Sequence, residues 1–235
     1  MYNPRMILPR QLALLVLVLI SNVRTGWATP QDFEGWATVV AFISLEDSKT
    51  YQLFVETQPR LGDNWQRMAT VLVRTAIVYT PTPSVSLFAG YGWFPGLYDA
   101  DYHRSYRDDQ QLWQQLLYRN DLWNVTWQHR LRQEERWIEH TDGVSYRTRY
   151  MLRASLPLND RKDFGLTAFD EVMVNLNTIE NGPWRGYDRN RIFLGPYCQI
   201  GAARYEAGYL GEHAKRFGDD ERWVNAIALT AIFNF

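Results

Sequence analysis

The sequence predicts an all-β chain: a single antiparallel up-and-down transmembrane β-barrel of about 10–12 strands, with a C-terminal strand ending in Phe. Three observations carry this reading. Segments that alternate large apolar and polar residues follow one another along the chain, each broken by turn chemistry. The last segment, Glu221–Phe235, puts Trp223, Ile227, Leu229, Ala231, Phe233 and Phe235 on one parity and Ala226, Ala228 and Thr230 on the other. A strand sends successive side chains to opposite faces, so one face is greasy and the other small. Finally, a short apolar run opens the chain and has the layout of an export signal.

That run lies between Arg10 and Ser21, and Gly26-Trp27-Ala28 supplies the small residues a signal peptidase reads. It is too short for a spanning helix. Residues 1–28 are therefore expected to be a signal peptide and 29–235 the barrel domain. No Cys follows the run, which argues against a lipid-anchored lipoprotein; Cys198 is the only Cys, so no internal disulfide can form. Aromatics make up 15% of the chain, with 10 Trp and 14 Tyr, the residues that favour membrane–water interfaces. A formal net charge of -1 gives no reason to expect a nucleic-acid partner.

The segments follow in order. Phe33–Ser44 sets Ala37, Val39, Ala41 and Ile43 on one face. Tyr51–Gln58 sets Tyr51, Leu53 and Val55 against Gln52, Glu56 and Gln58, and Pro59 is expected to break the chain. Trp65–Tyr79 sets Val71, Val73, Ile77 and Tyr79 against Thr70 and Arg74, before a tight turn at Pro81 and Pro83. Ser84–Trp93 pairs large residues on one parity with Ser86, Gly90 and Gly92 on the other. A long polar connection ends near Arg107, and a hairpin around Asn120 is expected to join Asp108–Arg119 to Asp121–Trp137. Val144–Leu156, Phe164–Asn177, Asp188–Gln199, Ala202–Gly211 and Arg222–Phe235 complete the sheet. This makes about eleven segments, against the even strand numbers of bacterial barrels. Short turns after Tyr79, Arg119, Leu156 and Gln199 alternate with longer loops after Trp93, Trp137, Asn177 and Gly211. In that frame the last strand runs to a periplasmic C-terminus.

Charge patterning sharpens the reading. In a soluble sheet the charged parity faces water, whereas in a membrane barrel it faces the lumen. On the barrel reading a lumen network forms from Arg130, Arg132, Arg136, Arg147, Arg149, Arg153, Arg191 and Arg204 with Glu56, Glu134, Glu171 and Glu206. Such charges must pair and hydrogen-bond. Phe233 and Phe235 are the expected membrane-insertion signal.

Catalytic constellations are thin. His103, His129, His140 and His213 are the histidines, three of them in expected outer loops. His140-Thr141-Asp142-Gly143-Val144-Ser145 gathers suitable residue types, but a hairpin turn explains it. Catalytic, cofactor and metal residues are all expected to be none.

Phe54-Val55-Glu56-Thr57-Gln58-Pro59-Arg60, Gly90-Tyr91-Gly92-Trp93 with Pro95, Arg130-Leu131-Arg132-Gln133-Glu134-Glu135-Arg136, Asp170-Glu171 with Asn175, and Asn190-Arg191-Ile192-Phe193-Leu194-Gly195 occur in that order. On these stretches the chain resembles a family of Gram-negative outer-membrane β-barrels catalogued as a domain of unknown function. The resemblance covers essentially the whole mature chain. It implies a fold and a location and supplies no activity to carry over. The leading expectation is a monomeric outer-membrane barrel, either a structural envelope protein or a narrow passive conduit. Its partners are outer-membrane lipid and, during biogenesis, the barrel-assembly machinery. An outer-membrane lipid-modifying enzyme and a secreted, lipocalin-like binder are the alternatives.

Overall fold

The computed structural model describes residues 31–62, 64–95, 108–215 and 221–235. The expected signal peptide, His103 and most of the connection before Arg107 lie outside the described residues. Eleven strands form: β1 (Gln31–Ser44), β2 (Tyr51–Gly62), β3 (Arg67–Thr82), β4 (Val85–Phe94), β5 (Asp109–Leu122), β6 (Val125–Ile138), β7 (Ser145–Pro157), β8 (Phe164–Asn175), β9 (Gly186–Ile200), β10 (Ala203–Lys215) and β11 (Glu221–Asn234). They close into a barrel in which each strand pairs with its sequence neighbour and β1 pairs with β11.

The closure is where the purely antiparallel expectation fails. With consecutive strands antiparallel and an odd count, first and last must run the same way. β1 and β11 accordingly pair in parallel, from Gln31 opposite Trp223 to Phe42 opposite Asn234. The seam is tied off by Phe235. Its N donates to Phe42 O at 2.8 Å, and its O accepts from Ser44 N at 3.0 Å and Ser44 Oγ at 2.7 Å.

Three local expectations also change. The hairpin between β5 and β6 turns at Trp123 and Asn124, not at Asn120. Both have positive φ, 56° and 60°, as a type I′ turn requires. Pro59 lies inside β2 instead of ending it. The β1–β2 ladder jumps from Trp36–Arg60 to Val39–Thr57, so the missing N–H of Pro59 falls where pairing is interrupted. Pro81 lies near the end of β3, where a register shift between Tyr79 and Thr82 loosens the ladder to β4.

The connections separate the two rims. Turns 83–84, 123–124, 158–163 and 201–202 share one rim with Phe235, and the end of β4, the start of β5 and connection 176–185 lie at the other. Close backbone approach is built in where β9 meets β10. A Cβ on Gly195 would collide with Ala207 O, so a larger residue there has no room.

Burial assigns the faces. Ile227 and Leu229 are 41% and 50% exposed, while Ala226 is 0% exposed and Ala228 is buried. The same inversion runs round the wall: Val73, Ile77, Leu116, Leu131, Tyr150 and Leu194 face outward, and Arg74, Arg132, Glu134, Arg149 and Glu171 are buried inside. Three apolar clusters of described residues share the interior with these charges, the smallest being Val125, Ala154 and Leu156 with Trp127. Phe54, Ala76, Val78, Phe88 and Trp113 pack together with Val40, Phe42 and Leu117. Trp36, Phe193, Leu210, Val224, Ala226 and Ala228 pack with Phe169.

Candidate functional site

The interior charges form a closed ring of alternating sign. Glu134 Oε2 meets Arg147 Nη2 at 2.6 Å, and Arg147 Nη1 meets Asp188 Oδ2 at 2.9 Å. Asp188 meets Arg189 Nε at 3.2 Å, and Arg189 Nη1 meets Glu212 Oε1 at 3.3 Å. Glu212 pairs with Arg191, whose Nη1 reaches Glu171 Oε2 at 4.0 Å. Glu171 accepts from Arg149 at 2.8 Å, and Arg149 Nη1 returns to Glu134 Oε1 at 2.9 Å. Each carboxylate in the ring therefore touches two guanidiniums and each guanidinium two carboxylates. The planar five-donor fork of arginine suits this bridging role.

Strand pairing explains why the ring closes. Arg147 and Glu134 are direct cross-strand partners on β7 and β6, as are Glu171 and Arg191 on β8 and β9, and Arg191 and Glu212 on β9 and β10. An irregularity completes it. Met173 pairs with Arg189 and Val174 with Tyr187, which leaves Asp188 as an extra residue on β9. That bulge lets the neighbours Asp188 and Arg189 both join the ring, where a regular strand would send them to opposite faces.

Arg130, Arg132 and Arg74 attach to the ring as spokes, and further charges pair towards the rims. Arg130 Nη2 donates to Glu171 Oε1 at 2.7 Å. Arg132 donates to Gln115 Oε1 at 2.9 and 2.7 Å and lies 4.4 Å over the Trp113 ring. Arg74 Nη1 reaches Glu56 Oε2 at 3.4 Å. Towards the rim of longer connections, Arg136 Nη2 bonds Asp109 at 2.5 Å. Near the opposite rim Arg153 and Arg204 converge on Glu206, with Arg204 Nε at 2.7 Å.

The structure thus brings Arg130, Arg132, Glu134, Arg147, Arg149, Glu171 and Arg191 together, with Glu56 linked through Arg74. Arg136 belongs to a separate pair, and Arg153, Arg204 and Glu206 form a separate group. Phe233 and Phe235 stack at 6.0 Å beside the seam. Sequence reasoning missed Asp188, Arg189, Glu212, Asp109 and Arg74 as members. Glu212 lies past the point where periodicity ended its strand, Asp109 opens β5 inside the segment read from the sequence, and Asp188 needed the bulge. Arg74 was legible from its parity with Thr70.

The described histidines stand apart from this network. His129 Nδ1 contacts Tyr150 Oη at 2.9 Å on the outer face. His213 lies within β10, not in a loop, and its ring lies 4.5 Å from that of Trp223. His140, at φ 59° in its turn, stands 3.6 Å from Glu139. No group of three His, Cys, Asp or Glu among the described residues is placed to hold a metal ion. The arrangement locks side chains across the lumen, and its middle is filled: Glu134 and Trp113 are each 0% exposed and Arg132 2%.

An uncharacterised protein of Methylorubrum extorquens is similar to this chain, 29% identical over 216 residues that cover 89% of this chain and 91% of the relative. No solved structure matches it significantly. Residues 33–223 match the family described as protein of unknown function (DUF2490). With that match spanning most of its length, from β1 to the start of β11, the chain belongs to this family.

Proposed function

We propose that this protein is an outer-membrane barrel with a sealed lumen, a structural element of the envelope and not a conduit. One observation carries the proposal: the polarity of a soluble sheet is inverted. Large apolar side chains such as Ile77, Leu131 and Leu229 lie on the exposed wall while Glu134, Arg149 and Glu171 are buried within. In water such a wall is an aggregation surface, and in lipid it is the matched surface. Tyr51, Tyr79, Trp93, Tyr118, Trp123 and Trp137, towards the strand ends, supply rings suited to the two interfaces. The same inversion speaks against a lipocalin-like binder, which keeps its apolar parity inside.

The packing of Trp113, Arg132, Glu134 and Glu171 across the middle of the barrel supports the sealed lumen. A conduit needs a continuous water path past its charged side chains. Purified protein in planar bilayers is therefore expected to give no single-channel steps. Regular steps overturn the sealed reading, and recovery of the protein in the periplasm without detergent overturns the membrane reading.

A further inference from the structure

The charge ring is neutral, with four carboxylates and four guanidiniums. Its spokes are not. Among the described residues, Arg74, Arg130 and Arg132 are added against Glu56 alone. Arginine stays protonated inside proteins, so this excess cannot be relieved by losing protons.

Unmet donors occur on the same three residues. Arg74 Nε, Arg130 Nε and Arg132 Nη1 are buried and have no hydrogen-bond partner among the described residues. The side chains of Arg74 and Arg132 are only 6% and 3% exposed. Arg74 Nη2 and Arg132 Nη1 also stand 3.8 and 3.9 Å from one oxygen, Glu134 Oε1, which already bonds Arg149. Both distances exceed a hydrogen bond. Arg132 rests on the Trp113 face and Arg74 on the Phe94 face at 4.8 Å. An aromatic face attracts a cation but accepts nothing in the guanidinium plane. Water would satisfy the donors and leave the charge.

We infer that the lumen binds a small anion of halide size beside Glu134, between Arg74, Arg130 and Arg132. Trp113, Gln111 and Glu134, each 0% exposed, pack about this place, which favours a small ion over a larger oxyanion. The ion is taken up as the barrel closes and completes the plug. This inference rests on the sealed-lumen reading and extends it.

The test uses the full mature chain folded in detergent and crystallised from sodium bromide. An anomalous bromide peak in contact with Arg74 and Arg132 is the expected result. A map with water alone there, or bromide confined to the surface, overturns the inference. In solution, the thermal midpoint should rise with the logarithm of chloride or bromide concentration and stay flat in sodium gluconate at matched ionic strength. Equal midpoints in the two salts also overturn it. Arg132→Gln should abolish the halide dependence. If that variant does not fold, bromide diffraction from the unaltered chain decides alone. Conductance steps with a bromide peak would defeat the sealed reading and leave the site standing, whereas silence with no peak would do the reverse.

Discussion

At the scale of single residues, Glu134 is the hub. It touches Arg147 and Arg149 within hydrogen-bond distance and stands 3.8 and 3.9 Å from Arg74 and Arg132. Removing one partner of a buried ion pair leaves the other charge uncompensated, which costs about 3–5 kcal/mol. Glu134→Gln is expected to lower barrel stability by that amount, read as a fall in the urea midpoint of the detergent-folded protein. A loss below about 1 kcal/mol, the level of a surface pair, would show the hub to be dispensable. Residue-level legibility was uneven for a physical reason. Parity announced Arg130, Arg132 and Glu134, because a regular strand keeps alternate residues on one face. It could not announce Asp188, since a bulge is an insertion that parity does not encode.

At the scale of elements, β11 and the β5–β6 hairpin carry the sharpest expectations. Leu229 points outward at half exposure, whereas its neighbour Ala228 is buried. On the membrane reading, Leu229→Arg costs about 2–4 kcal/mol near the bilayer midplane, measured by reversible refolding into lipid. Thr230→Arg, on the opposite parity, is an inward control that should cost less. A harmless Leu229→Arg contradicts the outward assignment. Trp123 holds φ 56°, a conformation that costs an L side chain about 1–2 kcal/mol. Trp123→Gly is expected to recover about 1 kcal/mol in detergent. In bilayers the gain should shrink, because the exposed indole is lost as an interfacial anchor. Equal gains in both media would leave that Trp without an anchoring role. The sequence made most strands visible but misplaced their ends at Pro59 and Asn120. Proline within β2 was tolerable only because the ladder to β1 is interrupted beside it, a tertiary fact.

At the scale of the whole molecule, the odd strand count sends the start of β1 and the end of β11 to opposite rims. Gln31 begins β1 at the rim where β4 ends and where 176–185 lies, and Phe235 closes the other rim. On the membrane reading, an epitope inserted before Gln31 is expected to be detected on intact cells, whereas one following Phe235 is detected only after permeabilisation. Detection of both on the same side would require a different closure. The count of eleven was readable from alternation and turn chemistry. The parallel pairing that makes the count workable was not, because neither strand's pattern specifies the direction of its partner.

That seam bears on how such a barrel is made. An even barrel can insert as a series of hairpins, with both ends staying on the side from which it came. Here β1 pairs with β2 but has no partner on its other side until β11 arrives, and on the membrane reading its leading end finishes across the bilayer from Phe235. On the membrane reading the start of β1 then crosses paired with β2 on one side only, and its other edge needs shielding by something other than the finished sheet. Phe235, bonded to Phe42 and Ser44, is then the clasp that ends this exposure. Until the far end of the sheet arrives to fasten it, the first strand is not safe.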